Sequence, residues 1–220
     1  MSFHWKKLTP TWIVDRVEEI TPQALKVQGI TAIITDLDNT LVPWRRYDIS
    51  PKLTEWLADL KAHGILLCIA SNTIHTRRLK QISDILGIPF VDRVRKPNVD
   101  GFVRAMKLMG SAPENTAVLG DQMFTDILAG GRLGLKTILL RRPLSAHELI
   151  TTKWVRNLER IVVARLTSEG RWPTDRKIAD PLEQASRKET DGPAPPAALY
   201  AVALGIAAVA AIAVIWKKRR

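Results

Sequence analysis

A chain of 220 residues has room for one α/β domain and an appendage but not for two full domains. Hydrophobic residues at 46% and charged residues at 25% exclude a chain disordered throughout, a collagen and a coiled coil. The net charge of +11 points to a polyanionic partner, either nucleic acid or an anionic membrane.

From the N-terminus, no apolar run before Asp15 is long enough for a signal peptide, so the main domain is expected to stay in the cytoplasm. Thr11 to Ile20, with Trp12, Ile13, Val17 and Ile20 at helical spacing, predicts an amphipathic helix packed on the domain, with Trp12 in the core. Ala32-Ile33-Ile34 predicts a first strand, and a helix beginning near Pro51 carries Leu53, Trp56, Leu57 and Leu60 on one face. Residues 65–70 form a second strand. A helix with Leu79, Ile82, Ile85 and Leu86 follows, closed by Gly87. Pro89-Phe90-Val91, Val99 to Leu108, Thr116 to Leu119, Phe124 to Ala129 and Thr137 to Leu140 continue the strand and helix alternation, and Lys153 to Leu166 make a last helix. Nearly all-apolar strands in this order predict an α/β, Rossmann-like parallel sheet with helices on both faces. Cys68, the single cysteine, falls in an apolar run; it reads as core and excludes an intrachain disulfide.

Residues 167–196 carry five prolines and read as a polar linker. Ala197 to Trp216 then run for twenty residues without a charge, about 30 Å of helix at about 1.5 Å per residue, which predicts a transmembrane helix. The expected organisation is a domain over 1–166, a linker over 167–196, a span over 197–216 and a basic tail over 217–220. Net charge divides among the domain, linker and tail as +8, −1 and +4. Part of the excess therefore closes a hydrophobic span, which favours a single-pass C-terminal membrane anchor. The positive-inside rule would also draw the final basic residues to the cytosol, against the orientation that an untranslocated domain imposes. Nucleic acid is not expected, because no aromatic-rich basic face or nucleic-acid motif is present.

Ligands of open parallel sheets bind beyond the carboxyl ends of the strands, and the polar residues gather there. After the first strand come Asp36, Asp38, Asn39 and Thr40; after the second, Ser71 and Asn72; after the third, Arg93, Arg95 and Lys96; after the fourth, Gly120, Asp121 and Asp126; after the fifth, Arg141 and Arg142. Clustered carboxylates repel one another unless a hard divalent cation binds them, and Mg²⁺ favours a few carboxylates with waters and phosphate oxygens. One carboxylate can attack phosphorus, and fixed donors and a cation from Ser71, Asn72 and Lys96 can meet the charge on the phosphoryl oxygens. Asp38, on the same side of the segment as Asp36, is placed to protonate the leaving oxygen and then activate water.

At these residues the chain resembles the haloacid dehalogenase superfamily of phosphohydrolases: Asp36-Leu37-Asp38-Asn39-Thr40-Leu41, Ser71, Lys96-Pro97, and Gly120-Asp121 with Asp126 fall in the order and strand context of its four motifs. The resemblance implies Asp36 as nucleophile, Asp38 as general acid/base, and Ser71 and Lys96 on the phosphoryl group. It implies Mg²⁺ as cofactor, held by Asp36, the Asp38 carbonyl and Asp121, with Asp126 ligating or supporting it. Over roughly residues 5–165 the chain is closer still to the YqeG-type class IIIA phosphatases, a group similar to the phosphatidylglycerophosphate phosphatases. The transmembrane tail is a departure from that group.

Thirty residues separate Thr40 from Ser71, 24 separate Asn72 from Pro97, and 22 separate Pro97 from Gly120, so no cap domain fits. An open site suits a substrate that brings its own bulk, such as a phospholipid headgroup in a bilayer. Arg45, Arg46, Arg77, Arg78, Arg93, Arg95, Arg141 and Arg142 are expected to border the site and to hold a second phosphate and anionic lipids; Asn72, Arg95 and Arg141 are the substrate-binding candidates. A soluble phosphate ester or phosphoprotein remains an alternative substrate, and a tethered, non-catalytic phosphate-binding module an alternative function.

Overall fold

A computed structural model of the chain describes residues 5–142, 144, 150–173 and 178. Its strands are β1 (Trp12–Val14), β2 (Ala32–Thr35), β3 (Leu66–Ala70), β4 (Phe90–Val91), β5 (Thr116–Gly120) and β6 (Lys136–Leu140). Its α-helices are α1 (Pro22–Val27), α2 (Pro51–Ala62), α3 (Thr76–Leu86), α4 (Asp100–Met109), α5 (Leu128–Leu133) and α6 (Ile150–Ser168).

The strands form one sheet in the order β1-β6-β5-β2-β3-β4, and every pair is parallel. Strands after β2 are laid down to one side as far as β4, and the chain then crosses to the other side of β2 to place β5. The carboxyl ends of β2 and β5 thus flank the point where strand order reverses, the place where such sheets open a crevice.

Alternate residues of the central strands feed opposite faces. Ile33, Leu67, Ile69, Ala117 and Leu119 pack with Leu25 of α1, Leu53 and Leu60 of α2, and Leu79 and Ile82 of α3. Ile34, Cys68, Ala70 and Val118 pack on the other face with Phe102, Ala105 and Met106 of α4. Fully burying a side chain such as Leu60 or Phe102 contributes about 1.5–3 kcal/mol. Caps set the helix limits: Ser50 accepts from Leu53 N at the start of α2, and Gly87 ends α3 in the left-handed conformation at φ 63°.

Two expectations fail. Thr11 to Ile20 is not a helix: Trp12, Ile13 and Val14 pair in parallel with Ile138, Leu139 and Leu140 as an edge strand, and Val17–Glu19 is one 3₁₀ turn. Aromatic and β-branched residues in succession favour a pleated strand, and the open edge of β6 supplies the partner. Ile85, one of the four apolar residues by which α3 was predicted, is exposed and takes no part in its packing face.

The linker beyond residue 178, the twenty-residue uncharged run and the basic tail lie outside the described residues. Among the described residues, no helix is long and apolar enough to cross a membrane.

Candidate active site

Asp36 continues the β2 ladder, donating its N–H to Leu119 O at 2.9 Å, and the chain then turns sharply. Asn39 takes the left-handed conformation at φ 63°, which a short amide side chain tolerates better than most. Its N–H donates to Val42 O at 2.7 Å, and its Oδ1 accepts from Trp44 N at 3.2 Å. This turn carries Asp38 back beside Asp36 and brings Arg45 N within 3.2 Å of Asp38 Oδ1.

Lys96 arrives from the β4 side. Asn72 clamps its main chain at both groups: Asn72 Nδ2 donates to Lys96 O at 3.0 Å and Lys96 N donates to Asn72 Oδ1 at 2.7 Å. The buried ammonium reaches Asp36 Oδ1 at 2.6 Å and Asp126 Oδ1 at 2.7 Å. Burial alone would lower the Lys96 pKa; Asp126 and Asp36 outweigh it and hold the lysine charged. Asp36 Oδ2 takes no hydrogen bond among the described residues.

Asp126 sits on one turn of π-helix, Met123–Ile127, where a regular helix was expected from Phe124. Such wide turns recur at functional sites. This one folds Asp126 back over the end of β5, and a Cβ on Gly120 would lie 2.3 Å from Asp126 Cγ. The glycine is therefore a spatial requirement of the carboxylate. Asp126 Oδ2 accepts from Gln122 N and Thr125 Oγ1, both at 3.3 Å. Burial raises its pKa, Lys96 pulls it down and Asp36 raises it again, with a net upward shift. Met123 N donates to Glu159 Oε1 at 2.6 Å, tying the turn to α6.

Asp38 has a partner that the sequence did not suggest. Arg78 Nη1 lies 2.8 Å from Asp38 Oδ1, while its other nitrogens donate to Arg46 O and Pro43 O. The guanidinium is buried and joins α3, the carboxylate and the 43–46 loop. Burial raises the Asp38 pKa; Arg78 opposes it, Asp36 adds to it, and the net shift is upward. Arg78 was expected to border the site and hold a phosphate. Its signal was an arginine four residues before buried Ile82, a cation inside an apolar stripe.

Asp36, Asp38, Ser71, Asn72, Lys96 and Asp126 all line one open cleft of about 330 Å³. Asp121 is buried at the β5 end beside it. Trp44, Arg45, Ile74 and His75 also line the cleft. Arg95 is exposed and does not line the cleft. Arg141, at the end of β6, likewise lies off it and donates to Asp15 Oδ1 at 2.7 Å; that bond raises the Arg141 pKa. Arg142 pairs with Asp15, Arg93 with Asp92 and Arg46 with Asp48. Of the eight arginines expected to border the site, only Arg45 lines it.

Among the described residues, no three His, Cys, Asp or Glu side chains are grouped to hold a metal ion. The donor chemistry nevertheless suits a hard divalent cation. Asp36, Asp121 and Asp126 are buried carboxylates from the adjacent ends of β2 and β5, oxygen ligands of the kind Mg²⁺ takes, and Lys96 is the cation that two of them share.

Residues 13–134 match the model of the haloacid dehalogenase-like hydrolases. The chain belongs to that family. The probable phosphatase YqeG of Bacillus subtilis (strain 168) is 41% identical over 165 residues, 75% of this chain and 95% of that protein. Two phosphatidylglycerophosphate phosphatases are more distant. The chloroplastic enzyme of Chlamydomonas reinhardtii is 26% identical over 171 residues, and the chloroplastic/mitochondrial enzyme of Arabidopsis thaliana 27% over 178. The alignments take in 74% and 77% of this chain but only 64% and 51% of those proteins. This haloacid dehalogenase-like protein is a phosphatase, as its motifs implied.

Proposed function

We propose that this phosphatase is a Mg²⁺-dependent phosphomonoester hydrolase that acts through a phosphoryl-aspartate on Asp36, with phosphatidylglycerophosphate as its substrate. One observation carries the chemistry: Lys96 holds Asp36 Oδ1 while Oδ2 takes no hydrogen bond among the described residues, in a cleft that Asp38 shares. Asp36 Oδ2 attacks phosphorus, the bond from phosphorus to the leaving oxygen breaks, and Asp38 gives its proton to that oxygen. Water then attacks the phosphoryl-aspartate, Asp38 takes a proton from it, and Asp36 leaves with its carboxylate restored. The raised pKa of Asp38 suits a group that must hold a proton for the first step. Ser71 and the charged Lys96 meet the phosphoryl oxygens. Asp36, Asp121, Asp126 and the Asp38 carbonyl would hold Mg²⁺, which when bound supplies positive charge against the phosphoryl oxygens.

The lipid substrate is supported by the names of the two more distant relatives and by an open cleft with no domain inserted between Thr40 and Ser71, where only α2 and β3 lie. The uncharged run 197–216 would anchor the domain at an anionic membrane, with catalysis in the cytoplasm.

The test offers phosphatidylglycerophosphate in mixed micelles beside small phosphate esters, with Asp36→Asn as control and Mg²⁺ removed by chelation in a parallel series. Release of phosphate from the lipid by wild type alone, lost on chelation and restored by Mg²⁺, is the expected result. Cleavage of soluble esters only would sink the lipid reading and leave the phosphatase. Equal inactivity of wild type and Asp36→Asn on every ester would sink the chemistry.

A further inference from the structure

The structure assigns a second anion subsite to Arg45: its guanidinium takes a phosphodiester or second phosphate on the leaving-group side of the substrate. This rests on the hydrolysis proposed above and adds to it a determinant of substrate class.

Three observations place the subsite. First, direction: Asp38 acts on the leaving oxygen, and Arg45 N sits 3.2 Å from Asp38 Oδ1. Ser71 and Lys96 come from the ends of β3 and β4 and serve the phosphoryl group. The leaving group is therefore released on the side of the Trp44–Arg45 turn, whose two residues line the cleft. Second, availability: Lys96 and Arg45 are the two lysine or arginine residues of the cleft lining, and Lys96 directs two of its donors to Asp36 and Asp126 and is assigned to the transferred phosphoryl group, not to the leaving group. Arg45 has no carboxylate within ion-pair distance among the described residues, whereas its neighbours Arg46 and Arg78 are matched to Asp48 and Asp38. Third, order before binding: Arg45 adopts φ 57°, a costly value for a residue with a long side chain. Its guanidinium carbon stacks 4.5 Å from the Trp44 ring centroid. Asn39 holds Trp44 N and Asp38 holds Arg45 N. A planar guanidinium on an aromatic face keeps its in-plane donors open for a bidentate anion.

A simple monoester such as glycerol 3-phosphate fills only the Asp36 end. A substrate whose leaving group carries a phosphodiester fills both ends. That second anion belongs equally to an intact lipid and to its water-soluble deacylated headgroup, and the experiment separates the two.

The rates to compare are those of wild type, Arg45→Gln and Arg45→Lys on glycerol 3-phosphate, on deacylated glycerophosphoryl-glycerophosphate, and on the diacyl lipid in neutral mixed micelles. Wild type is expected to prefer both two-phosphate substrates over glycerol 3-phosphate. In Arg45→Gln that preference in kcat/KM falls about tenfold for the soluble and the lipid form alike, and Arg45→Lys recovers part of it. A ratio that stays within twofold in Arg45→Gln overturns the subsite. So does a fall seen with micelles only, which would make Arg45 a contact to the membrane surface. Binding to the Asp36→Asn protein, followed by calorimetry with the deacylated two-phosphate compound, reads the subsite without turnover. Weaker binding on adding Arg45→Gln supports it even if the hydrolysis reading fails, and unchanged binding overturns it.

Discussion

Arg78 Nη1 lies 2.8 Å from Asp38 Oδ1, and the two side chains are only 7% and 18% exposed. An arginine from α3 thereby holds the carboxylate proposed as the general acid/base, and fixes the 43–46 loop beside it. Because Arg78 opposes the upward shift that burial imposes on Asp38, Arg78→Gln lets that pKa climb further. The basic limb of the kcat/KM profile, set by loss of the Asp38 proton, is expected to move to higher pH. The plateau falls about 10- to 100-fold as Asp38 loses its orientation. A limb that stays in place would show that Asp38 does not set it.

Lys96 balances two buried carboxylates at once. Lys96→Met leaves Asp36 and Asp126 unmatched and is expected to cost about 3–5 kcal/mol in chemical denaturation, with activity abolished. The loss depends on pH. Without Lys96 the folded-state pKa of Asp126 rises further above its unfolded value near 3.8, so the native state holds more protons than the unfolded one between those values. Stability of the variant therefore falls as pH rises through that window, and its deficit is smaller at the acid end than at pH 8. A deficit independent of pH would contradict this electrostatic account.

Gly120→Ala places a methyl group 2.3 Å from Asp126 Cγ. Backbone and carboxylate are both buried, so one must shift, at about 1–3 kcal/mol. The displaced Asp126 drags on Lys96, and kcat is expected to fall at least tenfold while the far-ultraviolet circular dichroism stays native. Full activity in this variant would mean that Asp126 can move without harm.

Cys68 lies in the middle of β3, fully buried, and burial pushes its pKa up to about 12. At pH 8 it is a thiol, unreactive toward thiol reagents in the native protein. Stoichiometric labelling is expected only after unfolding in guanidinium, with activity untouched by alkylating agents beforehand. Rapid labelling of the native enzyme would contradict the placement of β3.

Much of the site was legible because its residues follow strands. Asp36, Ser71, Lys96, Asp121 and Asp126 could be numbered from the apolar runs, since a parallel α/β sheet carries all its strand ends to one edge. Residues that act through a contact between distant segments were less legible. Asn72 was read as a substrate ligand, yet its amide is engaged with the main chain of Lys96, 24 residues away. Arg141 was read the same way, yet Asp15, 126 residues earlier, holds it.

That last pairing shows where the sequence stopped. Spacing and residue type by themselves determined a parallel sheet, its central strands and the carboxylates at their ends, because hydrophobic periodicity and motif order are local properties of the chain. The tertiary structure decided what each charge faces. Trp12–Val14 is a strand only because β6 has an open edge to receive it, and Asp15 reaches Arg141 only as a result. Arg78 is buried because α3 packs against the 43–46 loop, and there it takes the cleft carboxylate Asp38; Arg46 pairs with Asp48, and Arg45 has no carboxylate within ion-pair distance among the described residues. Charge pairing depends on distances of a few ångströms between segments, which folding sets and sequence spacing does not record.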